Sequence, residues 1–174
     1  RYKELIDQET RNNLLLNFNV PEGYIAEVST IDALTFGFCY PQHWVFSRFP
    51  EQILYGAVSD VQSAAEIGFK RNMNVVINDI SQNQIPLKEL YESGLQNILS
   101  CISKPKLVSK EENFIFQGLP AMRHTINWIP KTEENKTLTL YQIQVADKEK
   151  RKLYSISFTT LKEDFEISKV IFDN

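Results

Sequence analysis

Between Lys106 and Thr160 the sequence reads as four extended segments cut only by polar turns, and this run constrains the fold more than any other feature. Residues Ala121 to Ile129 alternate most clearly. Met122, His124, Ile126 and Trp128 share one side, while Arg123, Thr125 and Asn127 share the other. A period of two is that of a strand, whose successive side chains leave opposite faces of a sheet. Lys106 to Phe116 precedes this segment across a Gly118-Leu119-Pro120 turn. Thr137 to Ala146 follows a charged loop, and Leu153 to Thr160 follows a tip, 147–152, that has no apolar residue. Connections this short join antiparallel neighbours.

Upstream, the period changes. Leu87, Leu90, Tyr91, Leu95, Ile98, Leu99 and Ile102 recur at helical spacing behind Pro86, which suits the first position of a helix because its missing N–H costs nothing there. The spacing predicts a helix over 86–102 with one face on the sheet. Earlier strands are expected at Thr35–Tyr40, around Trp44–Phe46, at Ile53–Val58 and at Met73–Ile80. Residues 60–72 read as a loop holding a helical turn. Thr160 and Glu163 fit a capping box for a last helix that carries Phe165, Ile167, Val170, Ile171 and Phe172. The expected fold class is α+β: a twisted, mostly antiparallel sheet of six to seven strands flanked by helices. Residues 1–30 read as an N-terminal extension or linker, and 31–174 as one domain.

Bulk properties remove several function classes. At 174 residues, 43% hydrophobic and 24% charged, the chain is long and apolar enough for one packed core. A net charge of −3 argues against a dedicated nucleic-acid binder, which needs surplus Lys and Arg to displace counterions. No apolar run approaches the roughly 18 residues that a membrane span requires. The chain begins at Arg1, which leads to the expectation of a removed leader, anchor or upstream region and leaves the compartment open.

Chemistry-bearing residues are sparse. His43 and His124 are the two histidines. His43 lies in a turn close to Cys39, a potential nucleophile and base, but no third residue orients the imidazole. His124, between Met122 and Trp128, reads as a hydrogen-bonded core residue or as the polar group of a ligand pocket. Cys39, Cys101 and the histidines lack the paired spacing of a zinc site, and the cysteines are expected to be free, buried thiols. Asp60, Asp79, Glu111, Glu112, Glu133 and Glu134 read as solvated carboxylates rather than an acid–base pair. No nucleotide loop or nucleophile elbow is present. No cofactor or metal is expected.

Four short stretches resemble the PsbP-like superfamily, which groups the extrinsic PsbP proteins of photosystem II with a Ran-binding import factor and bacterial proteins of the DcrB type. Phe36-x-Phe38-x-Tyr40-Pro41-x-x-Trp44 is similar to its opening aromatic strand and turn, and Asn74-Val75-Val76-Ile77 to the strand before its long helix. Gly118-Leu119-Pro120-Ala121 with Arg123 is similar to its central turn and strand, and Leu153 to Phe158 followed by Phe165 to its last strand and helix. The resemblance covers about residues 33–173. It implies an α/β/α sandwich and a non-enzymatic role that works by docking on a protein partner. The expected partner surface is Trp44, Phe46, Phe49, Tyr55 and Phe69 beside the early strands, or the basic tip with Lys148, Lys150, Arg151 and Lys152. Two alternatives stay open: a small-molecule or lipid carrier with a pocket near Met122, His124 and Trp128, and a hydrolase using His43 or His124. The chain is expected to be a monomer.

Overall fold

A computed structural model describes residues 20–31, 34–47, 54–82, 84–149 and 151–173. The elements run β1 (Tyr24–Ile31), β2 (Leu34–Pro41), β3 (Val45–Ser47), β4 (Leu54–Ser59), α1 (Ser63–Ile67), β5 (Asn72–Asp79) and α2 (Leu87–Cys101). Then come β6 (Lys106–Phe116), β7 (Leu119–Trp128), β8 (Leu138–Asp147), β9 (Lys152–Leu161), a 3-10 turn (Lys162–Asp164) and α3 (Phe165–Asp173). Seven strands form one antiparallel sheet in the order β3-β4-β5-β9-β8-β7-β6. This is the expected α+β architecture. β1 and β2 form a separate two-stranded sheet, so the opening aromatic strand lies outside the main one. Tyr24 pairs with Pro41 and Ile31 with Leu34, so the expected boundary at residues 30 and 31 falls inside this hairpin. Residues 1–19 lie outside the described set.

The alternation of β7 places its two sides in two cores. Met122 and Ile126, each at most 1% exposed, pack with Ala146, Leu153 and the Tyr91 and Leu95 face of α2. On the other face, Tyr141, Ile143 and Phe158 pack under Phe165 and Phe172 of α3 and against Tyr40 and Trp44. The rings interlock: Phe172 meets Tyr141 edge-on at 5.0 Å, and Trp44 stacks over Phe158 at 6.5 Å. Full burial of a side chain such as Phe158 contributes about 2 kcal/mol of transfer free energy. Both layers therefore hold the same strands.

Local details depart from the sequence reading for physical reasons. Pro86 is the N-cap of α2, with extended backbone, rather than its first helical residue. The β6–β7 turn is Gln117-Gly118, with φ of 48° and 80°, and Leu119 and Pro120 already belong to β7. Two successive left-handed residues suit the right-handed twist of a two-residue hairpin, and glycine takes the second at no steric cost. Thr160 forms no capping box with Glu163. It is still in β9, and its hydroxyl donates to the Asp164 carboxylate at 2.8 Å. Cys39 and Cys101 are free thiols; Cys101 is exposed, because it sits on the solvent side of the last turn of α2. Gly94 of α2 lies so near the sheet that a Cβ there would stand 2.7 Å from Gln144 Nε2.

Candidate functional site

Of the two histidines weighed for the hydrolase alternative, His43 is exposed and His124 is buried. His43 Nε2 stands 3.7 Å from Asp60 Oδ1, beyond hydrogen-bond range. Asp60 is 2% exposed and already accepts from the Gln62 and Ser63 amides and from Arg71 Nη1 at 3.0 Å. Arg71 also clamps Asp164 through Nε and Nη2, at 2.7 and 2.8 Å. Burial alone would raise the Asp164 carboxyl. The Arg71 bonds and the hydroxyls of Ser168 and Thr160 outweigh it and hold the pKa at about 2. This half-buried arginine with two buried carboxylates ties the start of β5 to the start of α3. Sequence reading missed it, although Thr160, Asp164 and Ser168 at steps of four were a local signal. Burial pushes the Cys39 thiol upward, against a thiolate nucleophile.

His124 is 1% exposed, as is Met122. At 1% exposure the imidazole is packed among side chains, whereas Met122 forms part of the inner wall of a cleft against α2. Neither ring nitrogen has a hydrogen-bond partner. Its cross-strand neighbour Gln142 favours the charged ring but is outweighed. Burial, helped by the Lys110 charge, lowers the pKa to about 4. Trp128 is half-buried at the far end of β7.

The six carboxylates all meet cations: Asp60 with Arg71, Asp79 with Lys152, Glu111 with Arg123, Glu112 with Lys110, Glu133 with Lys136 and Glu134 with Lys104. Among the described residues, no group of three or more His, Cys, Asp or Glu side chains is placed to hold a metal ion. No described helix is long and apolar enough to cross a membrane.

The aromatic residues expected at a partner surface are packed where they are described. Trp44 is 5% exposed in the core, and Phe46 lies against Phe38 and Tyr40. Phe69 is half-buried beside α1, where its carbonyl accepts from Ser63 Oγ. Phe49 and the Tyr55 side chain lie outside the described residues.

The basic tip is placed differently. The Ile80 amide donates to the Arg151 carbonyl at 2.9 Å, which draws the β8–β9 tip against the end of β5. Lys148 and Arg151 then border a cleft of about 440 Å³ whose floor is Ile80, Ile85, Pro86, Leu87 and Leu90. Leu87 is also a wall of a second cleft, of about 400 Å³, between α2 and the β6–β7 hairpin, with Tyr91, Phe114, Ile115, Pro120 and Met122. Tyr91 Oη donates to the Pro120 carbonyl at 2.9 Å and fixes the helix to that hairpin. One end of the sandwich thus carries an apolar groove on both sides of the first turn of α2. Ile85 is 45% and Ile115 64% exposed there. Lys150 lies outside the described residues, and Lys152 is turned to Asp79 at 3.5 Å. Sequence reading placed Leu87 and Leu90 on the helix face that meets the sheet. Ile85, apolar and just ahead of the helix, was the signal available.

A third cleft, of about 720 Å³, lies between β7, β8 and α3 over Thr125, Asn127 and Thr139. Its charges largely satisfy one another: Arg123 Nε donates to Glu111 at 2.5 Å, and Lys169 to Asp173 at 2.8 Å. Polar and charged side chains, Arg123, Thr125, Asn127, Thr139, Lys162 and Glu166, make up much of its lining.

No family model matches the sequence, and no curated protein is similar to it in sequence. Solved structures are similar in fold. Cyanobacterial PsbP (CyanoP) from Synechocystis sp. PCC 6803 superposes with a TM-score of 0.58 at 11% identity, covering 90% of this chain and 91% of that one. The Ran-binding protein Mog1p of Saccharomyces cerevisiae gives 0.56 at 9% identity, covering 84% and 82%. LpqN, involved in cell envelope biogenesis of Mycobacterium tuberculosis, gives 0.50 at 12% identity, covering 89% and 80%. With a seven-stranded antiparallel sheet between α2 on one side and α3 with the β1–β2 hairpin on the other, this chain has the PsbP-like fold.

Proposed function

We propose that this chain is a non-catalytic protein-binding domain that docks its partner on the groove around the first turn of α2. The observation that carries the reading is the exposure of Ile85 and Ile115 on either side of Leu87, in concave clefts of about 440 and 400 Å³ with both apolar and polar walls. Concave apolar surface with a polar rim is the usual anatomy of a partner site, because burying it is favourable only when another molecule covers it. The engagement of Asp60 by Arg71 and the burial of His124 weigh against the hydrolase alternative. The fold likeness to Mog1p, a Ran-binding protein, agrees with a docking role.

The test is panning of the full 174-residue chain against a phage-displayed library of random 12-residue peptides, with recovered peptides resynthesised and titrated. Both isoleucines are exposed, so Ile85→Asp and Ile115→Asp leave the fold intact, as circular dichroism verifies. The expected result is peptides whose binding is lost in these variants. Peptides that bind them unchanged, or none recovered, reject the groove as the site.

A further inference from the structure

Resting on that reading, we infer that the cleft beneath Lys148 and Arg151 takes an acidic–apolar segment of a protein partner, with an apolar side chain on the floor and carboxylates on the two cations. The floor residues Ile80, Ile85, Leu87 and Leu90 supply the apolar contact, and no carboxylate among the described residues lines this cleft. Neither Lys148 nor Arg151 forms an ion pair with a described residue. Elsewhere several surface cations are paired, Lys110 with Glu92 and Glu112, Arg123 with Glu111, Lys136 with Glu133 and Lys169 with Asp173, while Lys70, Lys106, Lys131 and Lys162 form no ion pair with a described residue and none of these four lines this cleft. Asp79, on the adjoining strand end, is taken by Lys152, and Glu149 does not line the cleft. Two unengaged cations over an apolar floor therefore present a positive rim on a chain whose net charge is −3. Charge complementarity of this kind selects an acidic partner and speeds its approach more than it adds to affinity.

A peptide fits better than an anionic membrane. A space of about 440 Å³ is concave and admits a few side chains. Peripheral membrane binding needs a protruding apolar face with several cations, and the overall negative charge opposes it.

The peptides recovered above decide the point. They are expected to carry Asp or Glu beside Leu, Ile or Phe. Their affinity is expected to fall about tenfold in the Lys148→Glu/Arg151→Glu double variant, and to weaken as salt rises from 0.05 to about 0.5 M. Both side chains are exposed, so the variant keeps the fold. Peptides that require Ile85 or Ile115 but have no acidic bias and ignore the double variant would sink the acidic assignment and leave the docking groove standing. Loss of the groove itself shows separately, as binding unchanged in the isoleucine variants. Sedimentation with phosphatidylglycerol vesicles is the remaining arm: retention that depends on Lys148 and Arg151, without acidic peptides, overturns the peptide assignment in favour of a lipid surface.

Discussion

His124 shows how one side chain sets a pH limit on this molecule. Its pKa is about 4 in the folded chain and near 6.5 when exposed. Between these values the unfolded chain binds the extra proton. Stability therefore falls as pH drops from about 6.5 to about 4, by about 3 kcal/mol in all. Asp164 acts lower: its depressed carboxyl contributes stability that is complete above about 3.8 and lost toward about 2. The two windows hardly overlap. His124→Leu removes two unpartnered polar atoms from the core, so it is expected to be at least as stable at pH 7, by up to about 1 kcal/mol. It is also expected to flatten the loss between pH 6.5 and 4. Urea midpoints at pH 7 and pH 4.5 measure both; an unchanged pH slope in the variant would show that another group carries it. The sequence suggested a hydrogen-bonded core residue at His124, or the polar group of a pocket, from its place on one strand face with Met122 and Trp128. That its nitrogens would lack partners was not readable, because Gln142 comes beside it only through β7–β8 pairing.

At the scale of elements, α2 is held to the sheet by a glycine as well as by its apolar face. Alanine at Gly94 would gain about 1 kcal/mol of helix propensity. The added methyl would meet Gln144 Nε2, and Gln144 is 2% exposed and donates to Gln142 at 3.1 Å, so it has little room to give. Overpacking of that sort costs about 1–3 kcal/mol. Gly94→Ala alone is therefore expected to lower stability by about 1 kcal/mol. In a Gln144→Ala background the same change is expected to be neutral or stabilising. Chemical denaturation of the four members of this cycle gives the coupling; additive effects would mean that the helix sits further from the sheet than described. Here the helix was legible in the spacing of Leu87, Tyr91 and Leu95, since period 3.6 is written in neighbouring residues. Its distance from β8 was not, because Gly94 and Gln144 are 50 positions apart (144 minus 94).

For the whole molecule, one sheet shared by two cores predicts one cooperative transition. The two tryptophans lie on opposite faces. Trp44 stacks on Phe158 under the α3 layer, and Trp128 continues the Met122–Ile126 side of β7. Single-tryptophan variants Trp44→Phe and Trp128→Phe are each expected to unfold with a fluorescence midpoint that matches their own far-UV circular dichroism midpoint. Separate midpoints would show that one layer melts before the other. The sequence by itself determined the strand runs 106–160, the helix behind Pro86, the Pro41–Trp44 turn, closed by the Trp44 amide on the Pro41 carbonyl at 2.9 Å, and the basic tip. These rest on periodicity, proline and turn chemistry, which act between residues close in the chain. Only the tertiary structure decided that β5 lies beside β9, that Trp44 is core rather than surface, and that Arg71 meets Asp164 across 93 positions. It also gathered Ile80, Ile85 and Leu87 under Lys148 and Arg151. Such contacts follow from which faces can be buried together, a property of the whole chain that no local window contains.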